Sequence, residues 1–281
     1  MDTFKQFLTI TGSYQKSAST LDNLTVLGCP ADTRPLRILW MYPDTLSLHG
    51  GRGDIMALLR FATVAGLPAE IRRIDRLTDE IPLHEADMLW FCSGDLDCVP
   101  HVIRALEPLK PELEAFADAG KVIFVNGSTG AILSREFHLS DGQVIPGLGL
   151  LDMVWAQRNT VHGDDLWMDA LDGLELIGNV ISRTDVILGP HQAPFGTVRY
   201  GGGNQGDGFE GAITNNVIYT GCLGPLLVRN PQLAMELLKR AAEASGIAIE
   251  GMNFSLTAED IPTETAGMEA ARVFIREKMS K

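Results

Sequence analysis

The chain has 281 residues, 45% of them hydrophobic and 21% charged, with a formal net charge of −13. That hydrophobic share excludes a disordered chain. The acidic balance excludes a nucleic-acid binder with a basic footprint and a protein held on anionic lipid by polybasic patches.

The length allows one large domain or two small ones. No apolar run approaches the ~20 residues that span a bilayer, and residues 1–20 are too short of apolar length for a signal peptide. Cys29, Cys92, Cys98 and Cys222 form no disulfide framework, and no Cys/His pair completes a zinc site with Cys92 and Cys98. The expectation is a cytoplasmic protein with free thiols, no metal and no cofactor.

Residues 1–35 are rich in Ser, Thr and Asp and end on Pro30 and Pro35; they read as an extension. From Leu36 to Tyr42 an apolar run suits a buried strand. A turn-rich loop follows over 43–53. Asp54 is placed to cap a helix whose apolar positions, Ile55, Leu58, Leu59, Ala62 and Ala65, recur at helical spacing up to Gly66.

Strands are predicted over 69–74, 87–92 and 121–125, with a helical stretch over 97–119 broken near Pro108 and Pro111. Strands alternating with helices define an α/β fold: a mostly parallel sheet with helices on both faces. In such sheets ligands sit beyond the C-terminal strand ends, which singles out loops 43–53, 93–98 and 126–131.

The second half changes character. Residues 153–223 alternate strand-like patches with Gly-rich turns, which predicts antiparallel hairpins continuing the sheet. The run Gly201–Gly208 reads as a long hairpin loop and 217–220 as a strand. A helix is predicted over 231–244, with Pro231 at its first position and Asn230 as cap. Another is expected around 265–279. The predicted organisation is an extension (1–35), one domain (36–245) and a C-terminal tail with a helix (246–281).

Three segments in order carry a resemblance: the stretch 42–66 with His49-Gly50-Gly51-Arg52-Gly53-Asp54, the stretch Asp141–Asp152 (DGQVIPGLGLLD), and Gly203–Leu238. Together they resemble the CobB/CobQ-type class I glutamine amidotransferases, and most of all the GatD-type subunits that partner the Mur-ligase-like MurT in amidating lipid II. The resemblance covers roughly 36–240 and implies a flavodoxin-like class I amidotransferase fold. It also implies a Cys nucleophile on a tight strand-to-helix turn, polarised by a His near the C-terminus. A thiolate at a helix N-terminus has a lowered pKa and attacks the glutamine carboxamide, while backbone N–H groups hold the oxyanion.

In this sequence Asn126 stands at the nucleophile position and Leu223 at the His position. A carboxamide forms no thioester, and Leu neither accepts nor donates a proton. The expectation is a glutaminase-silent pseudoenzyme with no catalytic residue, whose former glutamine pocket is formed by Gly94, Asn126, Gly127, Ser128 and Leu223 and takes a small-molecule ligand. Arg158 lies one or two residues from the family's substrate-gripping Arg and does not inherit that role.

Ser128 and Thr129 are expected to cap the elbow helix, and Cys222 to be a small buried hydrophobe. Cys92 and Cys98 are expected to pack rather than react. The Gly-rich loop 49–54 lacks the Lys-Ser/Thr of a P-loop. His138, His162 and His191 lack metal-ligand spacing and read as surface or capping residues. Asp207 and Glu210, matched by similar residues in the family, are expected to stabilise their loop.

Two functions fit these residues. One is a non-catalytic binding or regulatory subunit, forming a heterodimer with a Mur-ligase-like partner in cell-wall precursor amidation. The other is an active amidotransferase or hydrolase that re-purposes Cys92, Asp95 or Ser128 in the same cleft, or a relative of cobyric acid synthase in cobalamin chemistry.

Overall fold

A computed structural model describes residues 23–25 and 34–280 of the chain. The remainder of the N-terminal extension lies outside these residues. Strand β1 (Asn23–Thr25) pairs antiparallel with β3 (Ala69–Ile74), so this piece of the extension joins the sheet edge.

The parallel core of the sheet is built from β2 (Leu36–Met41), β3, β4 (Met88–Phe91) and β5 (Val122–Asn126). All four residues of β4 and all five of β5 are buried, as expected for strands covered on both faces. Trp90 of β4 lies opposite Phe124 of β5, and the two rings stack with centroids 4.4 Å apart. The chain runs from β2 outward to β3, returns to β4 on the other side of β2, and continues to β5. That reversal creates a switch point between β2 and β4, where ligand clefts form in open α/β sheets.

Helix α1 (Gly51–Ala65) links β2 to β3, while α2 (Val99–Leu106) and α3 (Lys110–Asp118) link β4 to β5. Right-handed crossovers in opposite directions put α1 on one face and α2–α3 on the other. The predicted break near Pro108 is a turn of 3₁₀ helix over 107–109. Gly66 ends α1 at φ +76°, its N–H reaching the carbonyls of Ala62 and Thr63.

The second half does not continue the first sheet. It forms a separate sheet from β6 (Glu136–His138), β7 (Val144–Pro146), β8 (Met153–Ala170), β9 (Leu174–Leu188), β10 (Gly196–Tyr200) and β11 (Phe209–Glu210). The long antiparallel pair β8–β9 is its spine, with a register shift between Gln157 and His162. The run 201–208 is the hairpin loop between β10 and β11, as predicted. The chain then returns to the first sheet through β12 (Ala212–Thr214) and β13 (Val217–Thr220), β13 lying parallel to β5.

After β13 come α4 (Leu226–Arg229), α5 (Pro231–Ala244) and α6 (Pro262–Met279). Helix α5 packs on α1. Its cap differs from expectation: the Asn230 side chain makes no cap bond and instead pairs with both backbone groups of Ile177 in β9, at 2.9 Å each.

Helix α6 spans both layers. Arg60 of α1 bonds Glu264, Arg272 bonds Glu175 of β9, and Lys278 bonds Asp165 of β8 at 2.6 Å. Ile275 is buried with Trp167 and Ile177.

Among the described residues no helix is long and apolar enough to cross a membrane.

Candidate functional site

A cleft of about 390 Å³ opens where the C-terminal ends of the parallel strands meet the inner face of the second sheet. The loops after β2 and β4 form one wall, through Leu48, His49 and residues 93–97. Gly127 and Ser128, after β5, and Gly221, after β13, complete that side. The opposite wall is one face of β8 and β9. Trp155 lies opposite Val186 and Gln157 opposite Thr184, so all four side chains share the face that meets the cleft.

The loops of the first wall are laced together. Gly94 donates its N–H to Thr129 Oγ1 at 3.0 Å, and the Thr129 hydroxyl donates to the Cys92 carbonyl at 2.7 Å. Ser128 donates to the Gly94 carbonyl and lies 3.1 Å from Ser93 Oγ. Ser128 and Thr129 therefore tie two loops together and do not cap the following helix. That helix is itself a 3₁₀ segment over 127–133. Gly94 packs closely on Leu46: a Cβ there would stand 2.4 Å from Leu46 Cδ2, so a larger residue requires that side chain to move.

Asn126 ends β5 with extended backbone (φ −122°, ψ 153°), and the chain turns sharply at Gly127, φ +66°. The Asn126 side chain is fully buried, and neither its nitrogen nor its oxygen has a hydrogen-bond partner. Leu223 comes to the same turn: a Cβ on Gly127 would lie 3.2 Å from Leu223 Cδ2. The expected pocket thus divides. Gly94, Gly127 and Ser128 line the cleft, while Asn126 and Leu223 are buried and do not line it.

No activated nucleophile emerges from the described hydrogen bonds. Ser128 and Ser93 bond each other and a backbone carbonyl, with no His or carboxylate in the chain of contacts. Burial pushes the Cys92 thiol up to about 12, with the nearby Asp54 charge adding to it. Burial, and then Glu210, raises the Cys222 thiol well above its usual value. Both thiols are buried hydrophobes rather than thiolates. Arg158 pairs with Asp185 at 3.2 Å. Asp207 does hold its loop, accepting from the Phe209 N–H at 3.1 Å.

Two buried carboxyls stand out. Asp54 does not cap its own helix, which opens at Gly51 with Gly50 as cap. Its Oδ1 instead accepts the Leu227 N–H of α4 at 2.6 Å, and Oδ2 has no partner. Burial raises Asp54 to about 7, against the pull of the Leu227 and Leu226 N–H groups.

Glu210 is also fully buried and lines the cleft. It accepts from Thr220 Oγ1 at 2.9 Å and from the Gly221 N–H at 2.5 Å. Burial raises it to about 7, opposed by these two bonds. Glu210 thus secures its loop as expected, but it also presents a proton-exchanging group to the cleft. Trp155 and Tyr219, its neighbours there, were not singled out in the sequence; they come together from strands far apart in the chain.

Among the described residues no group of three or more His, Cys, Asp or Glu side chains could hold a metal ion.

The parallel sheet, its switch point and the cleft beyond the strand ends define a class, an open α/β protein with its cleft at the carboxyl ends of the strands. The particular resemblance is to GatD. The chain is 26% identical over 228 residues to the GatD subunit of the glutamine-hydrolyzing lipid II isoglutaminyl synthase of Staphylococcus aureus, covering 80% of this chain and 91% of that protein. It is 26% identical over 216 residues to the Streptococcus pneumoniae subunit of the same name, covering 73% and 80%. No protein-family model matches the chain.

Among solved structures, PurLQS from Thermotoga maritima superposes with a TM-score of 0.48 at 15% identity, covering 75% of this chain and 97% of the other. A glutamine amidotransferase superposes at 0.46 and 16%, covering 73% and 98%. At these values neither superposition adds to the functional argument.

Proposed function

We propose that this chain is a GatD-like cytoplasmic subunit that no longer hydrolyses glutamine and serves a Mur-ligase-like partner in amidating a cell-wall precursor. One observation carries the reading. The two positions that hold the Cys and His in the resembled family are Asn126 and Leu223, and they lie at one turn, against Gly127. Loss of both members of a catalytic pair leaves little turnover, since such residues act as a unit. The GatD matches favour cell-wall chemistry over the corrin reading.

The test is ammonia release from glutamine by the purified chain, alone and with its partner. The expected rate equals the protein-free blank, and Asn126→Ala changes nothing. Glutamine turnover that Asn126→Ala abolishes would overturn the proposal. The double variant Asn126→Cys with Leu223→His checks the positions: it is expected to form a covalent adduct with an electrophilic glutamine analogue, and failure to do so rejects the assignment. Co-purification with a Mur-ligase-like protein is the expected partner result; its absence on co-expression with the candidate ligase refutes the partnership.

A further inference from the structure

Three glycines around the start of α1 bring two parts of the cleft wall into bare contact. Gly50 and Gly53 pack on Pro225: a Cβ on the first would stand 3.2 Å from Pro225 Cδ, and on the second 2.8 Å from Pro225 Cβ. Gly51 packs on the buried Cys92, where a Cβ would stand 2.3 Å from Sγ. From the far side Gly224 comes as close: a Cβ there would stand 2.7 Å from the His49 carbonyl oxygen and 2.8 Å from Asp54 Oδ2. Leu48 and His49 carry one side of this seam into the cleft, and Gly221 the other.

Asp54 sits in the seam and clasps it. Its Oδ1 accepts the Leu227 N–H, two residues beyond Pro225, at 2.6 Å, while Oδ2 is buried with no partner. A protonated carboxyl tolerates that burial, whereas a carboxylate with an unsolvated oxygen draws water. Glycine packed on glycine and proline has few side-chain contacts to lose on parting. We propose that the seam is a proton-operated hinge in the cleft wall. It is closed while Asp54 carries its proton. When that proton leaves to solvent, water reaches Oδ2, Gly50 and Gly51 part from Gly224 and Pro225, and the cleft widens beside His49. The hinge goes beyond the function proposed above and does not rest on it.

The groups around Asp54 leave it free to act as the trigger. Cys92 of β4 and Cys222, after β13, feel its charge, and burial keeps both thiols neutral. His49 and Arg52, on its own segment, are exposed, and Arg229 of α4 bonds Asn179 Oδ1. On α5, Lys239 and Arg240 pair with Glu243 and Glu236, and Glu264 of α6 pairs with Arg60. What acts on Asp54 is its burial, opposed by the Leu227 and Leu226 N–H groups. It titrates at about 7 in the closed seam and returns to the ordinary 3.8 once solvated. Opening therefore grows with pH between these values and levels off above the higher one. From pH ~5.5 to pH ~8.5 the open fraction should rise about thirty-fold.

Cys92 reports the opening, because Gly51 covers it. The full chain is treated with methyl methanethiosulfonate across this pH range, and peptide mass spectrometry gives the labelling rate of each cysteine. Division by the rate for glutathione removes the intrinsic pH dependence of a thiol. Cys92 is expected to label faster than Cys222, which packs on Gly178 of β9. Its corrected rate should rise about thirty-fold and reach a plateau above pH ~7 in wild type, and stay flat in Asp54→Asn. Gly53→Ala props the seam against Pro225 and leaves Asp54 in place, so it should speed Cys92 labelling at the acid end of the range. The proposal is overturned if the corrected wild-type rate does not change with pH, or if Cys92 and Cys222 label together throughout, as in global unfolding. It is equally overturned if a folded Asp54→Asn variant keeps the pH rise or a folded Gly53→Ala variant labels like wild type. The wild-type profile decides even where a variant fails to fold.

Discussion

Asp54 offers a sharp test of the buried electrostatics. Its carboxyl titrates at about 7 in the fold against 3.8 in the unfolded chain, mainly through burial. A carboxyl raised in this way stabilises the fold most when protonated. That stability is present below the unfolded value and is lost as pH rises through the folded one. Each pH unit is worth about 1.4 kcal/mol. The ionisation penalty is then about 4 kcal/mol at pH ~8.5 and about 2 kcal/mol at pH ~5.5, where only the unfolded chain ionises.

Asp54→Asn removes this penalty and keeps an oxygen for the Leu227 N–H. It also places an amide nitrogen where Oδ2 has no partner, at a cost of about 1–3 kcal/mol. The variant should be more stable than wild type by about 1–3 kcal/mol at pH ~8.5 and nearly equal to it at pH ~5.5. The change between the two pH values, about 2 kcal/mol, is independent of the amide cost. Urea unfolding at both pH values measures it. An identical stability difference at both would refute the reasoning, because it would mean Asp54 is already ionised in the fold at the lower pH.

Two further predictions concern packing. Gly130→Ala puts a Cβ 2.2 Å from two carbons of the Tyr219 ring and 2.6 Å from Trp155 Cζ2. Overpacking against rings held in the core should cost about 1–3 kcal/mol in the urea midpoint, and an unchanged midpoint would contradict the packing described. Arg272→Ala with Lys278→Ala removes the ion pairs that hold α6 to the second sheet. Such exposed pairs are individually weak, so hydrogen exchange over 262–279 should quicken modestly while the parallel sheet is unaffected. Exchange equal to wild type would show that Met268 and Ile275 anchor the helix unaided.

The parallel half of the fold was readable because its signals are local. The runs 36–42, 87–92 and 121–125 are apolar throughout, as strands buried on both faces must be, and Pro108 marked its break directly. The second sheet was not readable as a separate layer. Whether 153–188 extends one sheet or starts another depends on pairing partners, and β6 sits next to β8 only through long-range register.

The same limit governs Asp54 and Asn230. Each has the residue type and position of a helix cap, yet each spends its side chain on another element, Leu227 and Ile177. In the site, Asn126 and Leu223 were singled out by resemblance alone, since residue identity at a matched position is a sequence property. The meeting of Trp155 with Tyr219 beside Glu210 was not legible, since it joins strands far apart in the chain.

The hydroxyl of Thr129 fastens two strand ends with one atom. It accepts the Gly94 N–H and donates to the Cys92 carbonyl, so a side chain that follows β5 satisfies two backbone groups of the loop that follows β4. Losing that hydroxyl would strand a buried donor and a buried acceptor together, and the rim of the cleft would lose a clasp that neither loop can replace from within its own segment.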